Sequence, residues 1–442
     1  MKLPALHAPL FWLIAIVLHL LGFWQAWHTG SIYLVDSIDY LSQANNIKWH
    51  GSLYAAPWDQ LIKPDYFSFR PPVYGVLIYL IKSVVASDYA ILFLQAAISL
   101  STLWGVLKFT AQLGFNAGLS RLVMLSILFI YPSQIIHCNF VMSDILFQSL
   151  LFWAFYFTYH LWQNPNYKNS SLAVLFFSLA MLTKPVAFLL GMSIALILVF
   201  VFYKKSKIKF ILPFLFLPLV YHAYASYNKS LTGYYHYSSV TPIFVLKYMA
   251  KYTNGQLYGE AHADSVQEVL MQKINAQTTY QNRYELMQAS GTAIIAQHPV
   301  FFAWFNLKGY MAFMLDPGRF EWVHFLNSNE GNYLGLYHVI HTQGLVNGLL
   351  SFIKNAPLSL LFILGTCFLA NLLFSIAFLQ TLFKKHTPLI LRICLFLFVG
   401  YIVGSTGVLG LSRYRVAIAP LLWICLVYFI SGLTTPKNEP AN

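Results

Sequence analysis

Apolar runs of about 20 residues, each long enough to cross a bilayer, recur along most of the sequence and are separated by short polar connectors. The pattern predicts spans at about 9–28, 88–108, 119–137, 142–161, 169–183, 185–203 and 208–226, and again at 356–383, 388–410 and 415–432. The run 71–86 opens on Pro71–Pro72 and carries Lys82 near its end. It is short for a span, which suits an interfacial or re-entrant helix. Segment 299–316 has Lys308 at its centre and 333–351 is amphipathic, so at least one of the two is expected in the interface. The total is ten to twelve spans. The fold class is therefore all-α, a polytopic membrane protein with interfacial helices in a first polar loop (30–71) and helices in a second (227–298). The chain divides into an N-terminal membrane module (1–226), a loop or cap (227–298) and a C-terminal membrane module (299–442). No internal repeat of the kind that builds inverted-repeat transporters is legible.

Composition sharpens this. Across 442 residues, 58% are hydrophobic, only 9% are charged and the mean hydropathy is +0.61, which excludes a soluble globular domain. The net charge of +13 would suit a nucleic-acid binder, but the cations gather in connectors: Lys108 to Arg121, around Lys168, the KKSKIK run at 204–209, and Lys384–Lys385. That is the positive-inside pattern, so no nucleic-acid partner is expected and membrane lipids are. It also puts the N-terminus on the cytoplasmic side. The first 27 residues are too long for a signal-peptide core and lack a small-residue cleavage site, so they count as the first span. Cys138, Cys367, Cys394 and Cys425 have neither metal nor CxxC spacing. The fourteen histidines include no HxH or HxxxH pair, and His338 and His341 sit on one face of an amphipathic stretch. No metal site is predicted from them.

With this topology, the polar residues hardest to explain fall on the non-cytoplasmic face: Asp36, Asp39, Arg70, Asp144, Lys184, Arg413 and Arg415. Each has an ordinary role open to it. Asp36 and Asp144 stand where a helix N-cap belongs, and the cations could snorkel to lipid phosphates. Their joint placement suggests more: cations to hold a phosphate leaving group, and an acid to deprotonate an incoming hydroxyl or amine. A transporter or flippase of polyprenyl-linked sugars is the rival, since it too needs a cationic lipid-phosphate site.

The order Asp36-x-x-x-Tyr40, Arg70-Pro71-Pro72-x-Tyr74, Tyr131-Pro132 with Ser143-Asp144, Leu182-Thr183-Lys184-Pro185, and Arg413-Tyr414-Arg415 with Pro420 resembles the GT-C glycosyltransferases. The likeness is to the bacterial proteins similar to protein O-mannosyltransferases and to the lipid A aminoarabinose transferase. It implies a GT-C-like architecture and transfer of a sugar from a polyprenyl-phosphate donor to a lipid, glycan or protein acceptor. It places the enzyme in a bacterial inner membrane with its site facing the periplasm. On the family pattern Asp36 is the general base. Arg70, Lys184, Arg413 and Arg415, with Tyr414, hold the donor phosphate. Asp39, Asp144 and Tyr40 supply a second acid or bind the acceptor. Two departures stand out: Ser37 follows Asp36 where many relatives have a second acid, and Phe69 stands where the aminoarabinose branch has a metal-binding Glu. No cofactor is assigned, and a divalent cation is left open.

Overall fold

The computed structural model describes residues 6–204, 207–327, 344–355 and 357–434; among them there are helices and no strand. The chain opens with α1 (Ala8–Thr29) and, after a short extended stretch, α2 (Ser37–His50). Gly51 ends α2 at φ 61°, a left-handed backbone that glycine adopts without a Cβ penalty, and its N–H caps the Ile47 carbonyl. α3 (Pro72–Val84) starts on the second residue of the proline pair, where a missing N–H costs no intrahelical bond. Its 13 residues rise only about 20 Å at 1.5 Å per residue, less than the hydrocarbon core.

α4 (Tyr89–Gln112) and α5 (Ala117–Ile130) follow, then α6 (Ser133–Cys138), α7 (Asp144–Gln163), α8 (Tyr167–Met181), α9 (Ala187–Tyr203) and α10 (Phe216–Thr232). The next section is helical, as expected: α11 (Val240–Ile243), α12 (Lys251–Tyr258), α13 (Glu260–Asn275) and α14 (Tyr280–Gln297). α15 (Pro299–Leu315), α16 (Arg319–Leu326), α17 (Leu345–Asn355), α18 (Leu358–Phe383), α19 (Leu389–Thr406), α20 (Ser412–Arg415) and α21 (Ala419–Thr434) complete the described chain. His338, His341 and most of the amphipathic segment 333–351 lie outside the described residues.

One expectation is corrected. The span expected at 119–137 is two helices, because Pro132 lacks an N–H and forces Tyr131 out of helical geometry (φ −133°, ψ 71°). The all-α polytopic membrane fold is as expected: among the described residues six helices are long and apolar enough to cross a membrane, Ala8–Thr29, Tyr89–Gln112, Ile208–Thr232, Leu358–Phe383, Leu389–Leu409 and Ser412–Leu433. Some expected spans are short apolar helices, such as Ala117–Ile130 and Ala187–Tyr203. α7 is instead a central helix, its aromatic-rich surface buried by its neighbours over most of its 20 residues.

One apolar core runs through α1, α4, α5, α7–α9 and the C-terminal helices, with Phe155, Phe177, Leu198, Phe398 and Trp423 fully or almost fully buried. Large apolar side chains such as Leu13, Phe200, Leu358 and Phe362 remain on the surface, which suits a lipid-facing exterior. A smaller cluster of Tyr40, Ala44, Tyr74, Ile78, Phe140 and Met142 packs α2 and α3 onto the α6–α7 turn. This second cluster seats the residues described next.

Candidate active site

Six of the singled-out residues meet in one ion-paired chain. Arg70 joins Asp39 and Asp36; Arg413 joins Asp36 and Asp144; Lys184 closes the line on Asp144. Asp36 sits at the entrance to α2, yet its side chain makes no cap bond. Its Oδ1 lies 2.8 Å from Arg70 Nη2 and its Oδ2 2.8 Å from Arg413 Nη2. Asp39, on the first turn of α2, accepts from Arg70 Nε at 3.0 Å and Nη2 at 2.8 Å. Asp144 opens α7; it accepts from Lys184 Nζ at 2.6 Å and Arg413 Nε at 3.1 Å. The side chains of Asp36, Arg70, Lys184 and Arg413 keep between 15% and 23% of their surface accessible, whereas Asp144 keeps 3%. The line is therefore open to a ligand at one side and anchored in protein at the other.

The neighbours fix it in place. The buried Tyr40 hydroxyl shares a 2.8 Å hydrogen bond with Ser143 Oγ, and the Arg70 guanidinium lies over the Tyr40 ring. Lys184 Nζ lies 6.0 Å from the centre of the Tyr414 ring. Gln43 Nε2 donates to the Arg70 carbonyl at 2.8 Å and to the Leu53 carbonyl at 2.9 Å. That amide needs the space over Gly75, where a Cβ would come within 2.0 Å of Gln43 Oε1.

Arg415 stands apart. It is buried and donates to the Phe313 and Asp316 carbonyls, both at 2.6 Å, and to the Tyr131 hydroxyl. It braces α20 against the α15–α16 turn rather than joining the ion-paired line. Asp316 Oδ2 accepts from the Ser412 backbone N–H at 3.1 Å, and Glu321 Oε1 accepts from the Ser412 hydroxyl at 2.8 Å. Glu321, Asp316, Ser412 and Gln43 thus hold the site without having been singled out. Gln43 alone left a trace in the sequence, one turn beyond Asp39 on the same helix.

The two carboxylates of α2 have opposite environments. Burial works to raise the Asp36 carboxyl, but Arg70 and Arg413 outweigh it and hold it below its ordinary range. At Asp39, burial dominates and the nearby Asp36 charge adds to it, so its carboxyl is pushed up despite Arg70. Burial also lowers the Lys184 ammonium, with Asp144 opposing it. Among the described residues no group of three or more His, Cys, Asp or Glu is gathered to hold a metal ion, each of the three carboxylates being turned onto cations.

The model of the family described as dolichyl-phosphate-mannose-protein mannosyltransferase matches residues 69–226. The match bears out the likeness to GT-C superfamily glycosyltransferases. It covers just over a third of the chain and takes in Arg70, Asp144 and Lys184. Asp36, Asp39, Tyr40 and Arg413 lie outside it and join the GT-C-like segment through the folded geometry. Neither a curated protein nor a solved structure matches the chain. The family match and the apolar helices together support a membrane glycosyltransferase.

Proposed function

We propose that the chain transfers a sugar from a polyprenyl-phosphate donor to a hydroxyl or amine acceptor by a single inverting displacement, with Asp36 as base. The observation that carries this is the ion-paired line, in which Asp36 is held between two guanidiniums and partly open to solvent. Arg70 and Arg413 use Nε and Nη2 on the carboxylates, and Lys184 uses one N–H on Asp144. That leaves Nη1 of each arginine and two N–H bonds of Lys184 for phosphate oxygens.

The charges balance through the step. The acceptor oxygen or nitrogen bonds to the anomeric carbon while the bond from that carbon to the phosphate oxygen breaks. The phosphodiester thereby becomes a phosphomonoester and gains one negative charge. The acceptor proton passes to Asp36, which loses one. As Asp36 is neutralised, Arg70 and Arg413 are released towards the phosphate at the moment its charge develops, so they stabilise the transition state more than the bound donor. Asp144 keeps Lys184 and Arg413 in position, while Asp39 and Tyr40 lie beside Asp36 where an acceptor would approach.

The site lies at the end of the α7–α8 hairpin where Asp144 and Lys184 meet. Lys108 belongs to the other end, where the last turn of α4 meets the last turn of α7 through Gln112 and His160, and Arg121, near the start of α5, donates to the Leu6 carbonyl before α1. Basic connectors opposite the site support a non-cytoplasmic active face and, with the family likeness, a bacterial inner membrane. A transporter of the same lipid has no comparable support, since the family matched is enzymatic. Incubating the purified protein with a radiolabelled polyprenyl-phosphate sugar and candidate acceptors tests the proposal. Release of free polyprenyl phosphate that disappears in Asp36→Asn is the expected result, and near-normal release from that variant would overturn the base assignment.

A further inference from the structure

A cavity of about 420 Å³ opens on the C-terminal half of α2, on the helix that carries Asp36 and Asp39 at its other end. Ser42, Asn45 and His50 line it from the helix, and Pro57, Trp58 and Asp59 from the loop that follows. The site chemistry described above does not use it. Its walls are preformed: buried Asn46 donates from Nδ2 to the Tyr54 carbonyl at 2.7 Å and the Ala56 carbonyl at 2.8 Å, pinning the loop to the helix. The His50 and Trp58 rings stack in parallel, 4.3 Å between centroids and 11° between planes.

We propose that this cavity binds a carbohydrate, the glycan part of the acceptor, at a subsite remote from the reacting centre. The lining is of the kind that recognises sugars: an exposed aromatic pair, His50 and Trp58, for apolar C–H contact, beside an amide, a carboxylate and a hydroxyl for the ring hydroxyls. Among the described residues the Ser42 hydroxyl, the Asn45 amide and the Asp59 carboxylate have no protein partner, so their hydrogen bonds are open to a ligand. No Lys or Arg lines the cavity and Asp59 brings a negative charge, which disfavours a phosphate group. No aliphatic chain lines it other than the Pro57 ring, which disfavours an acyl tail or an apolar peptide side chain. Its volume falls within the usual range for small-ligand pockets, roughly 300–1,000 Å³.

The helix sets the distance. From Asp39 to Asn46 the rise is about 10 Å and from Asp36 to His50 about 21 Å. An acceptor seated here while it presents a nucleophile at Asp36 is therefore a short oligosaccharide or a longer glycan rather than a single sugar. The subsite's role as part of an acceptor site rests on the glycosyltransferase proposal; its ability to bind a saccharide does not.

Saturation-transfer NMR on the full chain in detergent micelles separates the two. The probes are maltohexaose, mannohexaose and chitohexaose, with an unstructured Ser/Thr-rich peptide as the other class. At least one saccharide should show transfer, and Trp58→Ala and Asn45→Ala should each weaken it about tenfold, the loss of one good contact. In turnover with that saccharide, Asn45→Ala should raise KM by a similar factor with kcat unchanged. Asn45 is exposed and has no partner among the described residues, so its variant tests the subsite even if Trp58→Ala fails to fold. Asp36→Asn should lose turnover and keep saccharide binding. If it keeps turnover, the base assignment fails and the subsite stands. No transfer to any saccharide, equal transfer in both variants and wild type, or transfer to the peptide alone would overturn the subsite.

Discussion

Asp36 and Asp39 share a helix turn and a guanidinium, yet their carboxyls shift in opposite directions, because Asp36 has a second cation in Arg413 and Asp39 does not. That asymmetry gives them different work. Asp36→Asn should lower kcat by about 10²–10⁴-fold, the usual worth of general base catalysis, with circular dichroism unchanged. Asp39→Asn should act mainly on KM. The pH dependence has a definite sign. A depressed pKa keeps Asp36 ionised as pH falls, so the acid limb of kcat/KM should lie below the ordinary aspartate range. The stability it contributes is present above the unfolded-state pKa and lost as pH falls through the folded one. Arg413→Gln removes one of the two stabilising cations, so the acid limb should move up in pH. A pH profile of kcat/KM checks both. The sequence allowed Asp36 to be a helix cap. Only the folded position shows its oxygens on Arg70 and Arg413 instead, because capping depends on side-chain direction and not on residue type.

At the scale of elements, helix positions were legible wherever apolar length or a proline decided them. α1, α4, α18 and α19 lie close to where the hydropathy places them, and the pair Pro71–Pro72 marks the start of α3. The misreading at 119–137 is instructive, since Pro132 was visible in the sequence, followed by Ser133 and Gln134, and the apolar residues on either side outweighed it. The approach of α2 to α3 was not legible. It depends on Gly75 leaving room for Gln43, a contact between residues 32 positions apart. Gly75→Ala should therefore destabilise the protein by about 1–3 kcal/mol, despite alanine's better helix propensity. It should also raise the donor KM, because Gln43 would release the Arg70 carbonyl. Thermal unfolding in detergent and donor titration measure the two effects. Adding Gln43→Ala should restore part of the stability and none of the donor affinity.

On the scale of the whole molecule, the site is assembled from five separated segments, with Asp144 and Arg413 paired across 269 positions. Their pairing should be strongly coupled. Asp144→Asn alone leaves Lys184 and Arg413 without their buried anion, and should cost about 3–5 kcal/mol. Asp144→Asn combined with Arg413→Gln should cost less than the two single changes added together. A double-mutant cycle on thermal unfolding measures the difference, and simple additivity would deny the coupling. By itself, the sequence determined that the chain is an all-helical membrane protein, since hydropathy over about 20 residues is a local property that needs no partner. Through short motifs in order, it also determined which acids and cations to examine. Tertiary structure alone decided which of them meet. It joined Arg413 to Asp36 and turned Arg415 inward to carbonyls, though the two arginines differ by only two positions in one short helix. The reason is geometric: two positions along a helix point to nearly opposite sides, and what each side meets is set by helices distant in the chain.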